Sequence, residues 1–144
     1  MQLDSLIWGP NFWFFLHTIA ICYSLTPNET IKKKYYNFIQ TIPLLLPDEE
    51  MGKHFSKILD DYPVMPYLDS RESFTKWMHF IHNRVNIHLN KPIMSYKDSM
   101  IEYYKNYKPK KEVKKEDLKM REKIIFFSLL LVLLIIIVIL SLRE

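Results

Sequence analysis

Residues 124–142 carry no charged side chain, and serine is their only polar residue type. An uncharged apolar run of about 20 residues is long enough to cross the hydrocarbon core of a bilayer as a helix. A buried helix of a soluble protein would normally show a polar stripe over this length, and none is present. The run lies far from the N-terminus, so it is not interpreted as a secretory signal. We therefore expect a single-pass, C-terminal membrane helix over residues 124–142.

The positive charge of the chain is concentrated just before this apolar run. Residues 105–123 contain nine Lys or Arg and four Asp or Glu, an excess of five that exceeds the formal net charge of +4 for the whole chain. The rest is close to neutral, so the charge does not indicate a nucleic-acid partner. Because basic flanks of a membrane helix stay in the cytosol, residues 1–123 are predicted to be cytosolic. Residues 108–123 then form a basic juxtamembrane linker beside a lipid membrane.

The remaining sequence is predicted to be helical. Two glycines in 144 residues argue against Gly-rich phosphate loops and tight hairpins. No segment shows the alternation of apolar and polar residues that is typical of a strand. Capping residues mark the helix starts, and Pro63 and Pro66 indicate a loop over residues 61–69. The predicted helices are residues 11–24, starting after Pro10; residues 29 to about 42, capped by Asn28; residues 49–62, capped by Asp48; residues 71 to about 91, capped by Ser70; and residues 96 to about 107, started by Ser95 and Asp98.

Apolar side chains at helical spacing indicate a shared core. The fourth predicted helix has one apolar stripe with intervals of three and four residues. The sequence therefore predicts an all-α fold, a small helical bundle over residues 1–107 with turns of ordinary length. The residues expected in the stripe are Phe74, Trp77, Met78, Ile81, Val85 and Leu89.

Three blocks of the sequence have an order and spacing typical of a known family. Residues 8–20 read W-G-P-N-F-W-F-F-L-H-T-I-A. Four residues separate Leu46-Pro47 from Gly52-Lys53-His54-Phe55. Residues 74–92 read F-x-x-W-x-x-x-x-H-N-x-V-N-x-x-L-x-K-P. The chain thus resembles the FAD-linked sulfhydryl oxidase (ERV/ALR) family over residues 8–92, in the type found among large DNA viruses.

The resemblance implies a four-helix bundle with a short fifth helix that holds FAD and dimerises. The partner would be a second copy or an active relative, and the membrane that of the host cell or the virion. The family uses aromatic stacking and polar side chains on helices, without a dinucleotide Gly motif. Carried over by position, the adenine and ribose side comprises Trp77, His82, Asn83, Asn86 and Lys91, and the flavin side comprises Gly9, Trp13, His17, Tyr23, His54 and Phe55.

The resemblance breaks down at the catalytic cysteines. Where the family has C-x-x-C, this chain has Asp48-Glu49-Glu50-Met51, and its one cysteine, Cys22, lies elsewhere. Family members oxidise a dithiol to a disulfide with O₂, forming H₂O₂, and that reaction needs two neighbouring sulfurs. A carboxylate has no redox chemistry and a thioether forms no disulfide. Whether the chain is an enzyme therefore stays open, and Cys22, in the first predicted helix, is expected to be a buried, inert thiol.

The polar residues of the fourth helix, taken alone, allow more than one interpretation. His79, His82 and Asn86 lie three and four residues apart and project from one helix face. They could satisfy backbone groups inside the bundle or hold a polar ligand. A metal site at His79 and His82 is not expected, because no third His or Cys lies nearby in the sequence.

Three functions remain open at this level. The first is a flavin-binding pseudo-oxidase, anchored in a membrane, that acts through interaction. The second is an active FAD-dependent thiol oxidase that uses a dithiol from a partner chain or Cys22 across a dimer. The third is a membrane-tethered scaffold without flavin. Bound flavin distinguishes the third from the others, and thiol-dependent oxygen consumption distinguishes the second from the first.

Overall fold

The computed structural model describes residues 3–108 and 110–141, with side chains for residues 3–108 and 117–139. All regular elements in these ranges are helices, which confirms the predicted all-α class. Leu142, the last residue of the predicted membrane helix, lies outside the described residues. The elements are α1 (Ser5–Ile21), α2 (Glu29–Leu45), α3 (Glu49–Asp61), a 3₁₀ helix (Met65–Tyr67), α4 (Arg71–His88), α5 (Tyr96–Lys105) and α6 (Lys110–Ser141).

Helices α1 to α4 form an antiparallel bundle in which α1 packs on α4 and α3 packs on α2 and α4. The start of α4 is tied to the end of α1, because Arg71 Nε donates to the carbonyl of Tyr23. At the other end, His54 near the start of α3 contacts His88, the last residue of α4. The starts of α1 and α3 and the ends of α2 and α4 therefore share one end of the bundle, which we call the Asp48 end.

The core lies along the inner faces of these four helices. All but one of the apolar residues predicted for the α4 stripe are buried, and Trp77 donates its indole N–H to the Tyr62 carbonyl over 3.1 Å. The exception is Leu89, which is 37% exposed because it is the C-cap residue, one position beyond the helix. The other buried residues of this core are Leu16, Ala20, Tyr23, Ile39, Ile42, Phe55, Ile58, Leu59, Val64 and Leu68.

The predicted capping residues occupy the positions expected from the sequence. The side chains of Asn28, Asp48 and Ser70 accept hydrogen bonds from backbone N–H groups three residues ahead, over 2.9, 3.0 and 3.1 Å. Ser95 Oγ accepts from the Asp98 N–H over 3.1 Å and donates to its carboxylate over 2.6 Å. Each bond satisfies an N–H that has no partner within the helix, so each start is fixed locally.

Two predicted boundaries at prolines are wrong. Helix α1 begins at Ser5, where Asp4 caps the Leu6 N–H over 2.8 Å, and it runs through Pro10. Helix α2 likewise contains Pro43 and ends at Leu45. A proline keeps φ at a helical value but removes the hydrogen bond to the carbonyl four residues earlier. Neither proline lies in the first turn of its helix, so packing of α1 and α2 against the rest of the bundle must outweigh this loss.

The predicted loop over residues 61–69 also contains regular structure, the 3₁₀ helix Met65–Tyr67, with a proline near its start. A proline is tolerated there because the first N–H groups of a helix have no internal partner. Helix α4 ends with Asn90 in the left-handed region, at φ 53°. The N–H groups of Asn90 and Lys91 then donate to the carbonyls of Ile87 and Asn86, over 3.1 and 2.8 Å. This Schellman arrangement ends the helix just before Pro92.

The chain divides into two compact units, with the boundary between Met100 and Ile101. In the second unit α6 is continuous from Lys110 to Ser141, so the predicted linker is helical from Lys110 onward. Its stretch Asp117–Ile139 is long and apolar enough to cross a membrane, and none of it is buried. The one polar side chain between residues 124 and 139, Ser128, donates its hydroxyl to the Ile125 carbonyl over 2.8 Å.

Candidate functional site

A cluster of aromatic rings joins α1 and α4 in the middle of the bundle. The His82 imidazole stacks on the Trp13 indole, with ring centroids 4.0 Å apart and 9° between the planes. His17 Nε2 lies 3.0 Å from His82 Nδ1, within hydrogen-bonding distance. Phe55 of α3 closes the group, 6.2 Å from Trp13 between ring centroids. Helical spacing explains the arrangement, because residues four apart share a face, as Trp13 and His17 do.

Both histidines of this cluster are neutral at physiological pH. Burial lowers the pKa of His17 to about 4, with a further contribution from His79. Burial lowers the pKa of His82 to about 3, with contributions from His17, His79 and Lys91. Burial disfavours the charged form of a base, which is why both shifts are downward. One ring therefore donates and the other accepts in the bond between them.

Several buried nitrogens of α1, α3 and α4 have no hydrogen-bond partner among the described residues. They are His17 Nδ1, His54 Nε2, His79 Nδ1 and Trp8 Nε1. Buried polar groups are almost always satisfied in folded proteins, and leaving one unpaired costs on the order of 1–3 kcal/mol. Four such atoms on α1, α3 and α4 are therefore available to bond a polar ligand or water.

A pocket of about 430 Å³ opens at the Asp48 end, between α3 and α4. His54 and His88 stack in its wall, with centroids 3.4 Å apart and 17° between planes. Burial lowers the pKa of His54, and His88 and Lys57 add to the effect. Lys53 forms ion pairs with Glu49 and Glu50, at 3.1 and 2.9 Å. The residues that line the pocket are Asp48, Glu50, Met51, Lys53, His54, Lys57 and His88.

The two positions that the family resemblance assigns to the redox cysteines, Asp48 and Met51, line this pocket. Asp48 is the N-cap of α3, and Met51 is half-buried against the core. A helix N-terminus stabilises a carboxylate through its partial positive charge. The prediction that Cys22 is buried is wrong. This one thiol of the chain is exposed, because it lies at the C-cap of α1, the opposite end of that helix from the Asp48 end. The described geometry therefore gives this pocket no sulfhydryl group of its own.

The remaining flavin-side residues from the sequence fall into two places. Gly9 lies on α1 near the Asp48 end, and a Cβ built on it would meet no atom within 4 Å, so its backbone is open to a ligand. Tyr23 lies beyond the other end of α1, fully buried against Tyr35 and Phe74. Its hydroxyl donates to the Leu68 carbonyl over 2.8 Å, so the Tyr23 side chain is part of the hydrophobic core.

The adenine-side residues are spread along α4 and its C-terminal end. Trp77 is in the core, stacked on Phe74 at 6.0 Å, while Asn86 is half-buried and Lys91 is exposed. Asn83 Nδ2 donates to the Met94 carbonyl over 2.9 Å, which fastens the segment after α4 to the helix. The structure thus brings together Trp13, His17, His82 and Phe55, and it separates Tyr23 and Trp77 from them.

The sequence does not assign three further residues beside the candidate site. Helical spacing groups His79 with His82, but the family resemblance does not assign His79 to the cofactor. His88 meets His54 only through the packing of α4 on α3, for which the sequence contains no signal. Trp8 is the first residue of the first sequence block. That its buried indole N–H has no hydrogen-bond partner among the described residues can be seen only in the structure.

This geometry can be compared with that of known proteins. The sequence profile of the Erv1/Alr family matches residues 10–108. A probable FAD-linked sulfhydryl oxidase of Acanthamoeba polyphaga mimivirus is 33% identical over 106 residues, covering 73% of this chain and 74% of the relative. The FAD-linked sulfhydryl oxidase of African swine fever virus (isolate Pig/Kenya/KEN-50/1950) is 36% identical over 107 residues, covering 70% of this chain and 79% of the viral protein.

Solved structures show the same fold. The crystal structure of the FAD binding domain of Erv1 from Saccharomyces cerevisiae is 28% identical to this chain, with a TM-score of 0.61. The similarity covers 73% of this chain and 92% of the yeast domain.

Proposed function

Because this chain belongs to the Erv1/Alr family, we propose that it is a membrane-anchored flavoprotein that binds FAD without the cysteine pair of a sulfhydryl oxidase. The observation that carries the proposal is the Trp13–His17–His82 cluster. It combines a flat aromatic surface with a buried nitrogen, His17 Nδ1, that has no partner among the described residues. Relatives with this fold are named for their FAD linkage, and one solved neighbour is an FAD binding domain.

The residues present fit a flavin nucleotide. A planar ring system can stack on the outer face of Trp13 or of His82, since their inner faces cover each other, while His17 Nδ1 and His54 Nε2 supply polar contacts. When bound, FAD supplies the capacity to accept two electrons and pass them to oxygen. The residues that we propose hold it are Gly9, Trp13, His17, Tyr23, His54, Phe55, Trp77, His82, Asn83, Asn86 and Lys91.

The chain's own residues at the Asp48 end position a ligand but do not exchange thiols. Asp48 caps α3 and Met51 fills the core side of the pocket. Neither side chain can form a disulfide. We therefore propose that the protein is a pseudo-oxidase that acts through interaction. The open pocket beside Met51 supports a second candidate, in which a partner chain presents its dithiol to the flavin.

The partner that we propose is a second copy of the chain or an active relative, bound along α1. Helix α1 is apolar on nearly all sides, and such helices are normally buried all round. Yet only Leu16, His17 and Ala20 are buried in α1. Ile7 is 70% exposed and Phe14 is 39% exposed, and with Ile21 they repeat every seven residues. A seven-residue apolar repeat is the pattern of a helix–helix seam, which a second copy would cover.

The anchor that we propose is the apolar part of α6. Every described apolar side chain between residues 124 and 139 is exposed. An apolar surface of this size is unfavourable in water and favourable in the hydrocarbon core of a membrane. The Ser128 hydroxyl donates to the Ile125 carbonyl of the same helix, so it needs no partner from the lipid. Lys119, Arg121 and Lys123 precede the stretch, so the positive-inside rule puts the bundle in the cytosol.

The experiment for the flavin is a visible absorption spectrum of the full chain purified in detergent. The proposal predicts the absorption bands of a bound flavin, and it predicts that His82→Leu releases the flavin while the protein stays folded. Lys76→Leu is the matched control, because Lys76 is an exposed α4 residue paired with Glu72. A folded, colourless wild-type protein that takes up no added FAD would contradict the proposal and favour the scaffold without flavin.

A further inference from the structure

His79 is a buried polar residue of the bundle for which neither the family blocks nor the core provide a role. It lies on α4 three residues before His82, and its side chain is 8% exposed. The Tyr96 ring meets it edge to face, with centroids 5.6 Å apart. Its Nε2 lies 3.1 Å from Asn83 Nδ2, and its Nδ1 has no hydrogen-bond partner in the described part of the chain.

The bonds of Asn83 determine which nitrogen of His79 carries the proton. Asn83 Oδ1 accepts from the Met94 N–H over 3.3 Å, and Asn83 Nδ2 donates to the Met94 carbonyl over 2.9 Å. This pairing with one backbone residue fixes the orientation of the amide. The amide nitrogen therefore faces His79 Nε2, which must accept. In the neutral imidazole the proton is then on Nδ1, so the unpartnered atom is a donor.

His79 lies close to the proposed flavin site. Burial lowers its pKa, which keeps the ring neutral at physiological pH. Its charge, if it were protonated, would disfavour protonation of both His17 and His82. The Met94 backbone opposes the lowering of the His79 pKa but does not reverse it. A neutral ring whose buried Nδ1–H has no partner among the described residues suits a ligand that offers an oxygen or nitrogen lone pair.

We propose that His79 is a further cofactor-binding residue, whose Nδ1–H donates a hydrogen bond to the bound flavin nucleotide, and that Asn83 positions it. The inference rests on the proposed flavin binding and adds a residue to that site. The proposal also explains the Asn83–Met94 bonds, because these bonds hold the segment after α4 and set the tautomer of His79.

Two substitutions separate this role from a merely structural one. In His79→Asn the amide nitrogen is two bonds from Cβ, as Nδ1 is, so a donor is kept toward the ligand and the contact with Asn83 is lost. In His79→Gln the amide is three bonds from Cβ, as Nε2 is, so the contact with Asn83 is kept and the donor is lost. The measurement is a fluorescence titration of the full-length apoprotein in detergent with FAD, with thermal unfolding as the check on folding.

We expect His79→Gln to weaken FAD binding by about 3- to 10-fold, the effect of one hydrogen bond. His79→Asn should stay within about twofold of wild type. The reverse order, or two variants that bind like wild type, would overturn the role of His79 and leave the flavin proposal intact. A wild-type protein that binds no FAD would instead contradict the flavin proposal itself.

A second measurement keeps the inference testable if either variant does not fold. The Nδ1–H proton of His79 in the ¹⁵N-labelled wild-type protein should shift downfield and exchange more slowly with solvent when FAD is added. An unchanged resonance in the FAD-saturated protein would overturn the inference.

Discussion

The His82 imidazole lies flat on the Trp13 indole, with 9° between the two ring planes, and it simultaneously bonds to His17 over 3.0 Å. A residue near the middle of α4 is thereby attached to two residues one turn apart on α1. These two contacts hold α1 against α4, and they require the adjacent imidazoles of His17 and His82 to be neutral. Their consequences can be tested without knowledge of the cofactor.

The first prediction is acid sensitivity of the bundle. The folded pKa of His17 is about 4 and that of His82 is about 3, both below the ordinary 6.5. The unfolded chain therefore binds more protons below pH 6.5, so stability is complete above that pH and falls toward pH 4. At about 1.4 kcal/mol per pKa unit, the loss should reach a few kcal/mol. Urea unfolding at pH 7, 5 and 4 measures it.

The control for this prediction is the double variant H17Q/H82Q, whose side chains do not titrate. Its free energy of unfolding should change less between pH 7 and pH 4 than that of wild type. An equal change in both proteins would show that other groups cause the acid sensitivity.

The second prediction contrasts the two glycines. A Cβ at Gly52 would lie 2.6 Å from the Pro43 carbonyl oxygen, so Gly52→Ala must push α3 away from α2. The expected loss is roughly 1–3 kcal/mol in urea unfolding. Gly9→Ala meets no neighbour within 4 Å and should stabilise the apoprotein by up to about 1 kcal/mol through helix propensity. The same variant should weaken FAD binding, and unchanged FAD affinity would remove Gly9 from the site.

The sequence predicts the local parts of this structure well. Asn28, Asp48 and Ser70 mark helix starts because a cap depends on bonds within three residues. The predicted boundaries at Pro10 and Pro43 are wrong because tertiary packing outweighs one lost hydrogen bond in each helix. Helix periodicity grouped residues along α4, but it could not pair His82 with His17 or His54 with His88. Those contacts depend on how the helices pack against each other.

The third prediction concerns the seven-residue repeat on α1. Phe14→Glu or Ile7→Glu should convert a dimer of the full chain into a monomer, because a charge would be buried in the seam. Light scattering in detergent gives the mass. Leu44→Glu is the control, since Leu44 is an 85% exposed residue of α2 and its substitution should leave the dimer intact. A wild-type monomer at micromolar concentration would contradict this interface.

The fourth prediction concerns topology. Protease added outside intact microsomes should remove the bundle from full-length protein inserted in the membrane, because residues before α6 are expected on the cytosolic side. A protected fragment containing the apolar part of α6 should remain. Replacing Lys119, Arg121 and Lys123 with glutamine should weaken the preference for this orientation. Protection of the bundle in wild type, with loss of protection only after detergent, would contradict the orientation.

The most direct test of the central claim is oxygen uptake with a dithiol substrate by flavin-loaded wild type, by D48C, by M51C and by D48C/M51C. A single thiol cannot close a disulfide with itself, so both single variants are matched controls. The account predicts background rates for wild type and both single variants. It predicts a rate at least about 100-fold higher for the double variant, because a fixed thiol pair gains the advantage of proximity. Wild type that matches the double variant would contradict the claim that this chain has lost its redox pair.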